Sequence, residues 1–294
     1  MNVFKNKKAS DNYIIYLVIG VIGFLIISNT SFDLNTLLKK QDNTTQPVQE
    51  YVENNIIIIP ELESLKLSSW NLQIFGITKS ENEDVMYTIT NILKKSDIAF
   101  IQEIRNYDGI AWDRLCSRMD GYQCKISSRA GRTQSKEQYG VLYKEGIEIL
   151  DWVDYNPDEL DRWERPPLKV KFKKDEYEFI VYVIHTKPDN TVDEIMHLEN
   201  ITINVGNVIV LGDLNMDCDY YDVGKNNYFK EWYFLIEDYE DTTVNQNTRC
   251  AYDRIIVNDN AKQEIVADGI YTIGITEDVS DHYQVWANIL PVER

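Results

Sequence analysis

The chain has 294 residues, of which 44% are hydrophobic and 12% aromatic, so it can bury a large core and is not a disordered chain. It carries 48 acidic against 30 basic residues, a net charge of -18, which excludes a nucleic-acid binder that relies on a broad basic surface. With only three histidines and four cysteines it is too poor in ligands for an array of zinc sites, although two disulfides are possible in an oxidising compartment.

The N-terminal segment has the pattern of an export signal. Lys5, Lys7 and Lys8 precede an apolar run at 13–27. Its length fits both a cleaved signal peptide and an uncleaved signal anchor, so residues 1–28 are predicted as one or the other. A buried core helix is disfavoured because the run has no polar face. Because the lysines lie on the N-terminal side of the apolar run, the rest of the chain is predicted to lie outside the cytoplasm, either secreted or tethered to the membrane.

A change in composition marks the start of the folded domain. Residues 29–55 are rich in Asn, Thr, Gln and Asp, and are predicted to form a polar linker before a catalytic domain at 56–294. The apolar patterns of that domain predict strands at 65–71, 98–103, 139–144, 168–173, 179–185, 208–213, 254–258 and 283–289, and helices at 84–95, 110–119, 191–202 and 228–236. This alternation predicts an α/β (α+β) fold with two packed sheets.

Polar residues at the ends of the predicted strands suggest a site. One such residue is ordinary, but a set of them on one rim of a sheet can hold a hard divalent cation and move protons. The set comprises Asn71, Glu103, His185, Asp213, Asn215, Asp281 and His282.

The order of these motifs resembles that of a known family. The motifs are Ser69-Trp70-Asn71-Leu72-Gln73, Gln102-Glu103, His185-Thr186-Lys187-Pro188, Gly212-Asp213-Leu214-Asn215, Tyr252-Asp253-Arg254-Ile255 and Ser280-Asp281-His282. They are similar to the endonuclease/exonuclease/phosphatase superfamily over about residues 65–290. Within it, the pairs Gly131-Arg132 and Lys136-Glu137, with cysteines at 218 and 250, most resemble the deoxyribonuclease I family.

The resemblance implies a four-layer sandwich of two central mixed β-sheets flanked by helices, and metal-dependent hydrolysis of phosphodiester bonds in DNA. Glu103, with Asn71 and Asp281, matches the metal position of the family. Oxygen ligands of this kind suit Mg²⁺ or Mn²⁺ better than zinc. Asp213 and Asn215 would complete the site around the scissile phosphate.

Two of the three histidines match the catalytic pair of the family. His282 corresponds to the base, with Asp253 as its carboxylate partner, and His185 to the acid, with Glu137 as its partner. The third histidine, His197, falls inside a predicted helix and is interpreted as an ordinary, partly exposed residue.

The predicted contacts to the DNA substrate are arginines. Arg105, Arg132 and Arg165 match family positions that touch the backbone or the minor groove. The lysines at 169–173 alternate with apolar residues, as on the wet face of a strand, and are not assigned to DNA. The minor-groove tyrosine of the family is Ser135 here, so a preference for intact duplex is not implied.

The cysteines divide into two pairs. The resemblance implies a disulfide between Cys218 and Cys250. Cys116 and Cys124 have no matching pair in the family and flank a predicted turn, which leaves a second bridge and two free thiols both open.

A structural Ca²⁺ loop is also implied by the resemblance. Asp241 and Thr243 match its first ligands, and Asn245 and Asn247 are further candidates because the loop is about one residue longer than in the family.

The sequence is also compatible with other functions. A sphingomyelinase or a phosphoinositide phosphodiesterase or phosphatase of the same superfamily would share Asn71, Glu103, Asp213 and His282. Glu137 and the segment Cys250-Ala251-Tyr252-Asp253-Arg254 favour the nuclease branch. A catalytically inactive surface binding module is disfavoured because it would lose polar site residues, and none is missing. No obligate protein partner is evident, so a monomer is expected.

Overall fold

The computed structural model describes residues 64–291. The predicted targeting segment at 1–28, the linker at 29–55 and the first residues of the domain predicted at 56–294 lie outside the described residues. Between residues 64 and 291, no helix has the length and apolar character needed to cross a bilayer.

In the part of the chain that the structure describes, twelve strands form two six-stranded sheets. They are β1 (Leu65–Phe75), β2 (Ile98–Ile104), β3 (Tyr122–Ile126), β4 (Gln138–Lys144), β5 (Ile147–Asp154), β6 (Leu168–Lys174), β7 (Tyr177–Val183), β8 (Asn207–Asp213), β9 (Tyr233–Phe234), β10 (Asp253–Val257), β11 (Ile265–Tyr271) and β12 (Gln284–Ile289). The first sheet has the order β11-β12-β1-β2-β4-β3, and the second β5-β6-β7-β8-β10-β9. Each sheet is mixed, because β1 pairs in parallel with β2, and β7 with β8, while the other pairs are antiparallel.

Between residues 64 and 291, five α-helices and one 3₁₀ turn connect the strands. They are α1 (Ile77–Glu81), α2 (Glu83–Leu93), α3 (Ile110–Cys116), the 3₁₀ turn Pro188–Asn190, α4 (Thr191–Ile201) and α5 (Asp259–Lys262). The side chain of Asn82 accepts a hydrogen bond from the Val85 amide at 3.3 Å and caps the N-terminus of α2. The buried residues of α2 recur at helical spacing, which turns one apolar face toward the first sheet.

Three apolar cores separate the layers. Both sheets contribute to the central core, where the rings of Phe100 and Phe172 meet edge to face at 6.0 Å. A second core packs α2 and α3 on the first sheet around Trp70, and a third packs α4 on the second sheet around Tyr182. This helix–sheet–sheet–helix stack confirms the predicted four-layer α/β sandwich.

The helix predicted at 228–236 is wrong. The segment consists of turns and the short strand β9. Phe229, with a φ of 55°, packs in the core beside α4, whereas Leu235 and Ile236 pack in the central core. A helix would turn its apolar residues to one side, and these residues face two different cores.

Four of the twelve described strands were not predicted as strands, namely β3, β5, β9 and β11. All four are edge strands of their sheets. Edge strands bury less apolar surface than central strands, so their sequences give a weaker signal.

Two disulfides link segments of the fold. Cys218 is bonded to Cys250, as the resemblance implies, with a Cα–Cα distance of 5.9 Å. Cys116 is bonded to Cys124 with a Cα–Cα distance of 6.1 Å, which resolves the pair that the sequence left open. The second bridge ties the end of α3 to the edge strand β3.

Candidate active site

The two sheets bring their polar strand ends to one rim. Asn71 in β1 and Glu103 in β2 come from the first sheet, while Asp213 ends β8 in the second. The Nδ2 atom of Asn71 donates to Oδ2 of Asp213 at 3.0 Å and lies 3.3 Å from Oε1 of Glu103. One amide therefore joins the two sheets at the site.

His185 forms a buried pair with Glu137. It follows β7, and its Nδ1 lies 2.6 Å from Oε1 of Glu137, which directly precedes β4. Burial raises the pKa of Glu137, but His185 and Arg165 outweigh it and the net pKa is lowered, so Glu137 is ionised. An ionised carboxylate only accepts, and Nδ1 of His185 therefore carries a proton.

The pKa of His185 is raised by its carboxylate neighbours. Burial and the Arg165 guanidinium lower this pKa, while Glu137 and Asp213 raise it by more. The Nε2 atom of His185 lies 3.3 Å from Oδ2 of Asp213. The raised pKa favours a proton on Nε2, so His185 is suited to act as a proton donor.

His282 forms the second pair, with Asp253. The Nδ1 atom of His282 lies 2.7 Å from Oδ2 of Asp253, the first residue of β10. Burial lowers the pKa of His282, but Asp253 and Asp213 raise it to well above the usual value. The indole nitrogen of Trp70 donates to the His282 carbonyl at 2.8 Å, and Oγ of Ser280 accepts from the His282 amide at 3.1 Å. These bonds fix the backbone that carries the imidazole.

Asp213 lies between the two pairs. Its Oδ2 atom is 3.6 Å from Nε2 of His282, in addition to its contact with His185. Burial raises the pKa of Asp213, but the two imidazoles lower it by more. The preceding residue, Gly212, has a φ of 135°, and a Cβ atom there would overlap the carbonyl oxygen of Ile184. Glycine is therefore required for β8 to bring Asp213 this close to the end of β7.

Two of the predicted metal ligands, Glu103 and Asp281, accept hydrogen bonds from the end of β1. Oε2 of Glu103 accepts from the Ile74 amide at 2.8 Å, and Oδ2 of Asp281 accepts from Nε2 of Gln73 at 2.9 Å. Gln73, Ile74 and Glu103 have φ values of 40°, 53° and 60°. Such strained backbone clusters at functional sites. Oδ1 of Asp281 is buried with no hydrogen-bond partner among the described residues, and carboxylate oxygens such as those of Asp281 and Glu103 suit a hard divalent cation. Asn71 turns Nδ2 toward Glu103 and accepts from the Gln73 amide at Oδ1, so a metal ion shared by the three residues stays a prediction.

Asn215 lies at the base of the site. It is buried, has a φ of 49°, and donates from Nδ2 to the carbonyl oxygen of Thr186 at 3.1 Å. This contact ties the loop after β8 to the segment that follows His185.

The three predicted DNA-binding arginines occupy different environments. Arg105 lies 2.8 Å from Oε2 of Glu103. The side chain of Arg165 is only 13% exposed and donates from Nε to the His185 carbonyl at 2.8 Å, so it supports the site from within. Arg132 lies further out and pairs with Asp161 at 2.8 Å. The contact of each arginine with DNA stays a prediction.

The lysines of β6 are neutralised by carboxylates on neighbouring strands and turns. Lys169 pairs with Asp151 at 3.0 Å, and Lys171 with Glu178 at 2.6 Å. This agrees with their interpretation as the wet face of a strand.

The predicted calcium loop is closed by its own hydrogen bonds. Oδ1 of Asp241 accepts from both the amide and the hydroxyl of Thr243, at 3.0 and 2.7 Å. Oδ1 of Asn245 accepts from the amide of Asn247 at 2.9 Å. Calcium binding here stays a prediction. The loop also lines a cleft of about 580 Å³ that reaches His282, so the reaction centre is open to solvent on this side.

One residue of the site escaped sequence reasoning. Nζ of Lys79, in α1, donates to the carbonyl oxygens of Leu72, Gln73 and Val279 at 2.9, 2.7 and 2.8 Å. It thereby joins the two segments that carry the predicted metal ligands. A single lysine in a short amphipathic helix gives no signal of such a role in the sequence. His197, by contrast, lies in α4 with its ring 5.9 Å from that of Trp163.

Comparison with known proteins identifies the family of this chain. Residues 68–282 match the model of the endonuclease/exonuclease/phosphatase family, and the chain belongs to that family. It is 32% identical to deoxyribonuclease gamma of Rattus norvegicus, over 81% of this chain and 90% of that protein. It is 30% identical to deoxyribonuclease-1 of Equus caballus, over 77% of this chain and 93% of that protein.

A solved structure supports the fold. An endonuclease/exonuclease/phosphatase from Bacteroides vulgatus superimposes with a TM-score of 0.57 at 15% identity, over 79% of this chain and 100% of that one. The family model and the deoxyribonuclease relatives confirm the predicted family and the predicted enzyme class, a hydrolase.

Proposed function

We propose that this protein is a divalent-metal-dependent endonuclease that hydrolyses phosphodiester bonds of DNA. One observation carries the proposal. Two imidazoles, each held by its own carboxylate through Nδ1, direct their Nε2 atoms to the same oxygen of Asp213, at 3.3 and 3.6 Å. Because both Nε2 atoms approach one carboxylate oxygen, the two imidazoles lie close enough together to act as base and acid at the two ends of an in-line displacement at phosphorus. The deoxyribonuclease relatives support DNA as the substrate.

Glu103, Asn71 and Asp281 would hold the metal ion, which we infer to be Mg²⁺ or Mn²⁺ from the oxygen donors. When bound, the ion would neutralise charge on the non-bridging phosphate oxygens and oppose protonation of His282. A structural Ca²⁺ at Asp241 and Thr243 is part of the proposal.

The histidine pairs would divide the proton transfers. Asp253 orients His282 so that Nε2 takes a proton from the attacking water. Glu137 keeps His185 in the orientation in which Nε2 gives a proton to the leaving oxygen. Asp213 and Asn215 would position the phosphate between them, and Arg105, Arg132 and Arg165 would contribute positive charge toward the backbone of the strand.

The location of the enzyme is also proposed. The lysines and apolar run at 1–28 favour an exported chain, either secreted or retained by a membrane anchor. Two disulfides favour the same oxidising environment outside the cytoplasm. We expect the protein to act as a monomer on external DNA.

Plasmid nicking tests this function. The full-length protein, purified in non-ionic detergent under oxidising conditions, is incubated with supercoiled DNA in Mg²⁺ plus Ca²⁺ and in EDTA. His282→Ala removes the base, and His197→Ala is the matched control because that histidine lies outside the site. We expect nicking by the wild type and by His197→Ala only with metal, and at least a hundredfold less by His282→Ala.

Two outcomes would contradict the proposal. Folded wild-type protein that leaves DNA intact in Mg²⁺, Mn²⁺ and Ca²⁺ would reject the nuclease assignment. Hydrolysis of sphingomyelin or a phosphoinositide by that same protein would then assign the site to a lipid phosphodiesterase. Inactivity on all of these substrates would favour a binding module.

A further inference from the structure

The loop between β2 and α3 carries an aromatic side chain that points away from every core. Tyr107 is 85% exposed. A single exposed aromatic residue is common in proteins and by itself implies no function. Tyr107 differs from such a residue because the guanidinium of Arg129 packs against its ring.

Arg129 holds the ring from one side. Its guanidinium carbon lies 5.6 Å from the centroid of Tyr107, within the range of a cation–π contact. Nη1 of Arg129 donates to the carbonyl oxygens of Arg105 and Asn106 at 3.1 and 3.2 Å, and Nη2 donates to that of Lys136 at 2.7 Å. The guanidinium is thus fixed across two backbone segments.

These two segments lead directly into the reaction centre. The first follows Glu103 in β2, and the second precedes Glu137. Arg105 also reaches inward, where Nη2 lies 2.8 Å from Oε2 of Glu103 and 3.7 Å from Oε2 of Glu137. Tyr107 follows Arg105 by two residues, so their Cα atoms are at most about 7 Å apart. That span equals about two base steps of DNA at 3.4 Å per step.

We propose that Tyr107, backed by Arg129, is a stacking platform for an unpaired nucleobase beside the scissile phosphate. The proposal rests on DNA as the substrate, and it adds a preference for a strand state. A base can lie flat on an exposed ring only when it is not paired in a duplex, and stacking on aromatic rings tolerates any base. Stacking also needs no excess of positive charge, which suits a chain of net charge -18.

Cleavage kinetics on two strand states test the platform. The full-length protein in detergent, as wild type and as Tyr107→Ala, Tyr107→Phe, Tyr107→Trp and Tyr107→Leu, is assayed on a single-stranded oligonucleotide and on the blunt duplex of the same sequence. Tyr87→Ala is the matched control, because Tyr87 is 69% exposed and lies on α2, a helix that carries none of the residues assigned to the site.

We expect Tyr107→Ala to raise KM for the single strand about tenfold and to change kcat less than about twofold. The effect on the duplex should be smaller. Tyr107→Phe and Tyr107→Trp should keep the KM of the wild type, while Tyr107→Leu should resemble Tyr107→Ala, because leucine has no aromatic face. Loss of the cation–π contact with Arg129 would by itself affect cleavage of the single strand and of the duplex equally, so the larger effect on the single strand is what distinguishes the platform from a structural role.

Equal KM values for the wild type and Tyr107→Ala on the single strand would overturn the platform, and so would rescue by leucine. If the wild type cleaves neither DNA, the proposed function fails and the platform is tested separately. Fluorescence anisotropy of a labelled single strand then compares binding by the wild type and Tyr107→Ala without metal. Weaker binding by the variant supports the platform, and equal binding rejects it.

Discussion

Nε2 of His185 lies 3.3 Å from Oδ2 of Asp213, although the two residues are 28 positions apart in the chain. His185 follows β7 and Asp213 ends β8, and these strands are parallel neighbours. Parallel strands end at the same edge of a sheet, so the pairing of β7 with β8 alone brings the imidazole to the carboxylate. With Nδ1 held by Glu137, Nε2 is the atom that faces the reaction.

The Glu137→Gln substitution should shift the pH dependence of cleavage. Glu137 helps to raise the pKa of His185, and an acid is active only while it holds its proton. Removing the carboxylate lowers that pKa, so activity should decline at a lower pH on the alkaline side, with a loss of about a hundredfold at the optimum. The measurement is kcat against pH.

Glu199→Gln is the control for this change. Oε1 of Glu199 accepts from the Phe229 amide at 2.6 Å, away from the histidines. Its pH profile should match that of the wild type. An unshifted alkaline limb in active Glu137→Gln would show that His185 is not the acid.

The Gly212→Ala substitution should be costly. The new Cβ would overlap the Ile184 carbonyl oxygen, and a φ of 135° is strained for alanine. We expect the free energy of unfolding to fall by more than about 2 kcal/mol, as measured by denaturant titration. Gly224→Ala, in an exposed loop where the nearest atom belongs to the flexible side chain of Asp222, should change it by less than about 1 kcal/mol. Equal stabilities of the two variants would contradict the close approach of the strands.

The Lys79→Met substitution should weaken metal use as well as stability. Three carbonyl oxygens would lose their shared donor, and the segments that carry Asn71 and Asp281 would no longer be joined. We expect the free energy of unfolding to fall by about 2 kcal/mol, and the Mg²⁺ concentration for half-maximal cleavage to rise severalfold. Lys225→Met removes an exposed lysine paired with Asp222 and should change neither quantity. Lower stability with an unchanged metal requirement would limit Lys79 to a structural role.

The two disulfides should contribute unequally to stability. The Cys218–Cys250 bridge spans 32 positions and the Cys116–Cys124 bridge spans 8. A longer closed loop restricts the unfolded chain more, so replacing both cysteines of the first pair by serine should cost about 4 kcal/mol, and of the second about 2.5 kcal/mol. Thermal unfolding of the two double variants gives the order, and a reversed order would mean that native-state effects exceed the loop term.

The prediction of secondary structure was correct where strands are fully buried and missed the strands at the edges of the sheets. Strands such as β8, in which every residue is buried, give continuous apolar runs that the sequence reveals. The edge strands β3, β5 and β11 were not predicted. The segment 228–236, which contains β9, was wrongly predicted as a helix, because the spacing of its apolar residues does not reveal that they pack in two different cores. The spacing of apolar residues records how much surface is buried, and it does not record which layer covers it.

The sequence by itself determined the family, the layered fold and the residues of the candidate site, because strand periodicity and the order of short motifs are local properties of the chain. Only the tertiary structure decided that Asp213 contacts His185 and His282, and that Arg165 is buried behind His185. It also decided that Lys79 donates to the carbonyl oxygen of Val279, 200 positions away, and that Cys116 is bonded to Cys124. These relationships depend on sheet order and on the distance between strand ends. Such distances are set by packing across the whole domain, and no local pattern encodes them.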